Sequence, residues 1–87
     1  MSDLTVERSV APVFPRRAGA AQKEGLVELN FRIDSQGSVF DAVVVRSSDQ
    51  IFELSALNAI RKWRFQPYVE NGLSMPVRSG VRFSFRQ

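Results

Sequence analysis

One stretch of this chain has the periodicity and end signals of a helix, and it limits what the rest can be. Residues 49–67 read DQIFELSALNAIRKWRFQP. Phe52, Ala56, Ala59, Ile60 and Trp63 recur at helical spacing and make one apolar stripe. Asp49 stands where a carboxylate can accept orphan backbone N–H bonds, at the positive end of the helix dipole. Arg61, Lys62 and Arg64 crowd the other end, where cations suit the dipole. Pro67 pushes Gln66 out of the helical region, so the helix is expected to stop near Phe65. Such a helix needs a sheet or another helix to cover its stripe.

Strand patterns supply that cover. In residues 26–34, Val27, Leu29, Phe31 and Ile33 share one face, while Glu28, Asn30 and Arg32 share the other. Residues 34–38 (DSQGS) are turn chemistry, with Gly37 supplying a positive φ. Residues 39–47 form the partner strand, but the alternation is poor. Val39, Val43 and Val45 face one way, Phe40, Ala42 and Val44 the other, so one set is exposed or touches a partner. Residues 75–86 form the last strand, with Val77, Val81, Phe83 and Phe85 on one side and Arg78, Arg82 and Arg86 on the other. Tyr68 to Gly72 is a loop in which Asn71-Gly72 turns the chain.

Ahead of the first strand, residues 1–9 read as a flexible tail and residues 10–87 as one domain. Val13 and Phe14 lie between two prolines and are held extended. Pro15 opens a short helix to about Lys23, which Gly25 ends. The helix of residues 49–65 is long enough to return the chain to the start of the second strand. The third strand then runs parallel to the second, and the first lies between them, antiparallel to both. The expected fold is α+β, with two helices packed on one face of a three-stranded antiparallel sheet. Phe14, Phe31, Phe52, Ile60 and Trp63 are the expected structural core. Both outer strands carry unpaired N–H and C=O groups.

Composition removes most chemistry. The 87 residues contain no Cys and no His, so disulfides, thiol chemistry, zinc sites and His-based acid–base work lose their usual residues. No cofactor or metal is expected, nor an enzyme: Asp34, Asp41, Asp49 and Glu53 sit in turns, on an outer face or at a helix start, with no carboxylate pair forced together. A net charge of +3, from 12 basic and 9 acidic residues, is small for a nucleic-acid footprint. A base-stacking surface would need aromatics beside arginines, and here Phe83 and Phe85 face away from Arg82 and Arg86. No run reaches the roughly 18 apolar residues of a membrane helix.

The wording of the chain adds a resemblance. PVFPRRA, EGLVELNFRIDSQGSV, SSDQIFELSALNAIRKWRFQP and a closing strand of alternating Val and Phe occur in that order. Together, Gly25 before a strand, the Asp34/Gly37 hairpin, and Ala59 through Trp63 to Pro67 resemble the C-terminal domain of the TonB energy transducers. The resemblance runs from Val10 to Phe85.

It implies a periplasmic domain, anchored in the inner membrane by an N-terminal helix and Pro-rich spacer absent from these residues. It implies work with the ExbB–ExbD motor, driven by the proton gradient. It also implies that the domain grips the TonB box of outer-membrane receptors during uptake of iron–siderophores, haem or vitamin B12. The box adds to the edge of the last strand, here Ser79, Gly80, Val81, Arg82, Phe83, Ser84 and Phe85, with Ala11, Pro12 and Val13 against it. The best-studied members carry Gln where this chain has Ala11 and Tyr where it has Phe14, so an amide contact and a phenol hydrogen bond are lost. Backbone pairing does not depend on them. A TolA-like or purely structural periplasmic domain is the alternative within the class, and either a monomer or a strand-exchanged dimer is compatible with the pattern.

Overall fold

The computed structural model describes residues 4–16 and 24–86. Its centre is a three-stranded sheet of β2 (Glu24–Ile33), β3 (Val39–Ser47) and β7 (Val77–Arg86), in the order β3-β2-β7 with β2 antiparallel to both neighbours. This is the expected order. Val27, Leu29, Phe31 and Ile33 of β2 are all buried and form the floor of the core. The turn between β2 and β3 closes through Asp34, whose carboxylate accepts from the N–H groups of Gln36 and Ser38, both at 2.9 Å. These bonds, Ser38 first, hold the Asp34 carboxyl below the ordinary aspartate range. Gly37 has φ +89°, and a Cβ there would lie 1.9 Å from the Phe65 carbonyl oxygen. Only glycine fits that approach.

The organising helix is shorter than its periodicity. A 3-10 turn, Gln50–Phe52, leads into α1 (Glu53–Ile60). Asp49 caps this turn by accepting from the Ile51 N–H at 2.9 Å. Phe52, Ala56, Ala59 and Ile60 bury the expected stripe against the sheet. The chain leaves the helix at residue 61 instead of near Phe65. The reason is tertiary: Phe65 donates its N–H to Gly37 O at 2.9 Å, and β4 (Arg64–Phe65) pairs with β1 (Val6–Arg8). Val6–Arg8 was expected in a flexible tail; its strand pairing has no apolar period in the sequence to announce it.

Two other expectations concern the stretch before β2. Gly25, expected just after a helix end, lies inside β2. The expected helix from Pro15 falls almost wholly on residues 17–23, outside the described residues. Among the described residues the α+β fold therefore carries one short α-helix, and it adds two small two-stranded sheets, β1-β4 and β5 (Val69–Glu70) with β6 (Leu73–Ser74), to the central three strands. The β5-β6 hairpin turns at Asn71 and Gly72, φ 53° and 81°, as Asn-Gly permits.

The uneven alternation of β3 also resolves. Its register against β2 shifts twice, between Glu28 and Leu29 and between Asn30 and Arg32. Each shift gives β3 an extra residue, and Asp41 adopts φ 52° at the second. The phase therefore changes along the strand. Val39, Ala42 and Val44 pack on the core, while Phe40, Val43 and Val45 are exposed.

Candidate functional site

The direction of each main-chain group on β7 can be worked out from β2. Leu26 donates its N–H to Ser48 Oγ at 2.9 Å, and Leu26 O accepts from the Ser48 N–H at 2.8 Å. Both groups of Leu26 thus point towards the β3 side. In an antiparallel strand this direction alternates residue by residue. Leu26, Glu28, Asn30 and Arg32 face β3, so Gly25, Val27, Leu29, Phe31 and Ile33 face β7. The β2-β7 register is unbroken from Glu24↔Arg86 to Ile33↔Val77. Phe85, Phe83, Val81, Ser79 and Val77 therefore spend their N–H and C=O groups on β2. Arg78, Gly80, Arg82, Ser84 and Arg86 turn theirs away from the sheet. Among the described residues no strand pairs with β7 on that side.

Side chains divide on the same alternation. Phe83 and Phe85 are buried, with Val77 and Val81 packed against the core. Phe85 stacks on Phe52 with ring centroids 4.9 Å apart, and Phe83 meets Trp63 edge-on at 5.8 Å. These contacts anchor the strand from below and leave its outer rim open. Gly80, Arg82 and Ser84 are exposed on the opposite face. Arg82 donates to Glu28 Oε1 from Nη2 at 2.9 Å and from Nε at 3.2 Å.

The N-terminal segment reaches β7 through aromatic side chains. Trp63 Nε1–H donates to Val10 O at 2.9 Å, and its indole packs on Phe83. Phe14 packs edge-on against Phe52 at 5.6 Å, and Phe52 stacks on Phe85. Ala11, Pro12 and Val13 lie between these two anchors, beside Ser55, Asn58, Ala59 and Lys62 of the helical segment. Val13 is 75% exposed. Of the expected core set, Phe31, Phe52 and Ile60 are buried, whereas Phe14 and Trp63 are only partly so. Trp63 therefore has a second task, holding Val10 in place, which its position in an apolar stripe did not signal.

Among the described residues no group of acidic side chains could hold a metal ion, and no helix is long and apolar enough to cross a membrane. What the arrangement offers is a regular strand edge, a segment from Val10 to Phe14 tied to the core by Trp63 and Phe52, and no buried side-chain polar atom without a partner among the described residues.

These features define a small α+β domain with one regular, open sheet edge. Residues 10–86 match the family described as Gram-negative bacterial TonB protein C-terminal. The chain is 35% identical over 86 residues to Protein TonB of Pseudomonas aeruginosa, covering 98% of this chain and 25% of that protein. It is 30% identical over 82 residues to Protein TonB of Vibrio cholerae, covering 93% of this chain and 34% of that one. The fold is similar to the solution NMR structure of the Pseudomonas aeruginosa TonB CTD, with a TM-score of 0.80, 34% identity, and coverage of 100% of this chain and 89% of the other. A structure of the TonB2 protein of Vibrio anguillarum aligns with a TM-score of 0.60 at 32% identity, over 99% of this chain and 84% of that one. The chain belongs to the TonB C-terminal family, a family of transducer proteins and not of enzymes. It spans about a quarter to a third of the length of these two curated relatives.

Proposed function

We propose that this domain is the receptor-docking end of a TonB-like energy transducer, and that it accepts the TonB box of an outer-membrane receptor as an added strand on β7. The observation that carries the reading is the outward row of N–H and C=O groups on Arg78, Gly80, Arg82, Ser84 and Arg86. Strand addition draws affinity from main-chain bonds, so one edge can serve several receptors whose boxes are only loosely related. One added strand buries little area, which keeps binding reversible. A device that grips and releases in each cycle needs that. Ala11, Pro12 and Val13 lie over the added strand, held in range by the Trp63–Val10 bond and the Phe14–Phe52 contact.

In this reading the domain works in the periplasm at the end of a chain anchored in the inner membrane. An ExbB–ExbD motor, driven by the proton gradient, acts on it through the part of the protein that precedes these residues. The pull supports uptake of iron–siderophores, haem or vitamin B12.

The test uses a receptor-derived box peptide and the isotope-labelled domain. Binding should move the amide signals of residues 78–86 and of residues 10–13. Arg82→Pro removes an outward donor without touching the bonds to β2, so the domain should stay folded and lose the peptide. Arg82→Ala keeps the amide and should weaken binding only slightly. Phe83→Pro removes a donor used by β2 and should destabilise the fold. A folded Arg82→Pro variant that binds as well as the parent would overturn the assignment of this edge.

A further inference from the structure

The outer face of the sheet carries a pattern of charge with one break in it. Arg86 lies directly across from Glu24 and Arg82 across from Glu28 in the β2-β7 register. Both pairs are ionic contacts, with Nε of Arg86 3.9 Å from Glu24 and Nη2 of Arg82 2.9 Å from Glu28. The third arginine of the series, Arg78, lies across from Arg32. The main-chain groups of Arg32 point to β3 and those of Arg78 to the free edge. This is the closer class of antiparallel pair, with Cα atoms about 4.5 Å apart and side chains near one another. Like charges placed so are unfavourable.

The neighbourhood does not cancel them. Among the described residues the acidic group paired with either arginine is Asp41, set by its bulge 3.7 Å from Arg32 Nη1 and well exposed. Among the described residues Arg78 has no ion pair or hydrogen bond. Around the two arginines lies an open depression of about 700 Å³, walled by Asn30, Ala42 and Val43. Across the sheet the row reads Asp41, Arg32, Arg78 and then the free edge: minus, plus, plus, open.

We propose that Arg78 reads a carboxylate on the added strand and so fixes its register. This rests on strand addition at β7 as proposed above. A residue of the added strand that registers opposite Arg78 projects its side chain onto the same outer face, whichever way that strand runs. An Asp or Glu there completes the row as minus, plus, plus, minus. Main-chain pairing alone cannot choose between registers two residues apart, because such a slip keeps every side chain on its own face. Arg82 and Arg86 already face carboxylates of β2, so they compete weakly for the acid. The partner is thus an extended peptide with one acidic residue on the face it shares with Arg78.

The experiment is an acid walk. A neutral Ser/Thr/Val peptide carries a single Glu, moved one residue at a time, and each peptide has a Gln counterpart. Dissociation constants come from NMR titration of the parent, Arg78→Gln and Arg82→Gln domains. In the parent, one Glu position should bind about two- to fivefold tighter than its Gln counterpart, the range for an exposed cross-strand pair. Added salt should shrink the gain. Arg78→Gln should abolish it, and Arg82→Gln should leave it. Arg78→Gln should also unfold no earlier than the parent, because it removes the like charge opposite Arg32. If Glu and Gln peptides bind the β7 edge alike at every position, or the gain survives in Arg78→Gln, register reading by Arg78 is wrong while docking at β7 stands. If no peptide of the series, and no receptor-derived peptide, moves the amides of β7, docking at this edge fails and the inference fails with it.

Discussion

Gly25→Ala tests the packing that supports β7 from below. The backbone of Gly25 does not need glycine, since Gly37 and Gly72 are the described glycines with positive φ. Its space does. A Cβ would stand 2.4 Å from Cδ2 and Cε2 of the Phe52 ring and 2.7 Å from Cζ. The ring has little room to move. It is 1% exposed, with Phe14 edge-on at 5.6 Å and Phe85 stacked at 4.9 Å. A methyl forced into such a site costs about 1–3 kcal/mol. Loss of glycine's freedom in the unfolded chain returns about 0.4–1 kcal/mol. Because the ring is held on both sides, the cost should lie at the top of that range, and the net should be about 2 kcal/mol, out of about 4–13 kcal/mol for a domain of this size. Urea unfolding followed by Trp63 fluorescence should show a lower midpoint with an unchanged slope. The melting temperature should fall by about 4–8 °C for each kcal/mol. Phe52→Leu removes the obstructing ring atoms, so the Gly25→Ala penalty should shrink in that background. A Gly25→Ala variant within about 0.5 kcal/mol of the parent, the usual range for surface changes, would refute the reasoning. So would a penalty of equal size in both backgrounds.

The other expected outcomes follow from single contacts. Gly37→Ala combines a left-handed φ with a Cβ on the Phe65 carbonyl; it should cost more than the roughly 1–2 kcal/mol of the backbone strain alone, and urea titration reads it. Asp49→Ala removes the cap of the 3-10 turn and should cost about 0.5–2 kcal/mol by the same assay. Trp63→Phe keeps a ring but leaves Val10 O without its donor, so the amide signals of residues 10–13 should move while stability falls by about 0.5–1.5 kcal/mol. Asp34 has a lowered pKa in the fold, so its contribution is present above the unfolded-state pKa and is lost as pH falls through the folded one. Asp34→Asn should therefore melt below the parent at neutral pH, and the two curves should converge in acid.

What the sequence reveals here is what local patterns encode. The four alternating residues of β2, the Asp34/Gly37 turn and the stripe from Phe52 to Ile60 each follow a short-range period, and each lies where its period places it. The sheet order came out as expected, although the helix is shorter than the length from which that order was argued. The end of the helix was not legible, because β4 forms through the pairing of Arg64–Phe65 with Val6–Arg8, far away in sequence. Gly25 reads as a helix terminator in a linear scan, and only the Phe52 ring above it shows why it is glycine. The valines of β3 could not be assigned to faces, because two extra residues change the phase within one strand. On the candidate site, alternation separated the arginines from the phenylalanines of β7. Which amides point outward needed the Leu26–Ser48 bonds, and the opposition of Arg32 and Arg78 needed the register.

The two edges of the sheet are unequal in a way that bears on where a strand can be added. An added strand needs a run of evenly spaced donors and acceptors. On β3 that spacing is broken at both register shifts, and Asp41 turns the chain locally into the left-handed region. The start of β3 is also covered. Ser38 bridges to Arg64, whose guanidinium donates to Ser38 Oγ, and Phe65 bonds to Gly37. Bulges and covered ends are the usual means of keeping an edge from pairing. On β7 the register runs through ten residue pairs without a break, and its outer amides meet no strand among the described residues. A protein guarding only against aggregation would blunt both edges. Leaving β7 straight is what the proposed strand addition requires.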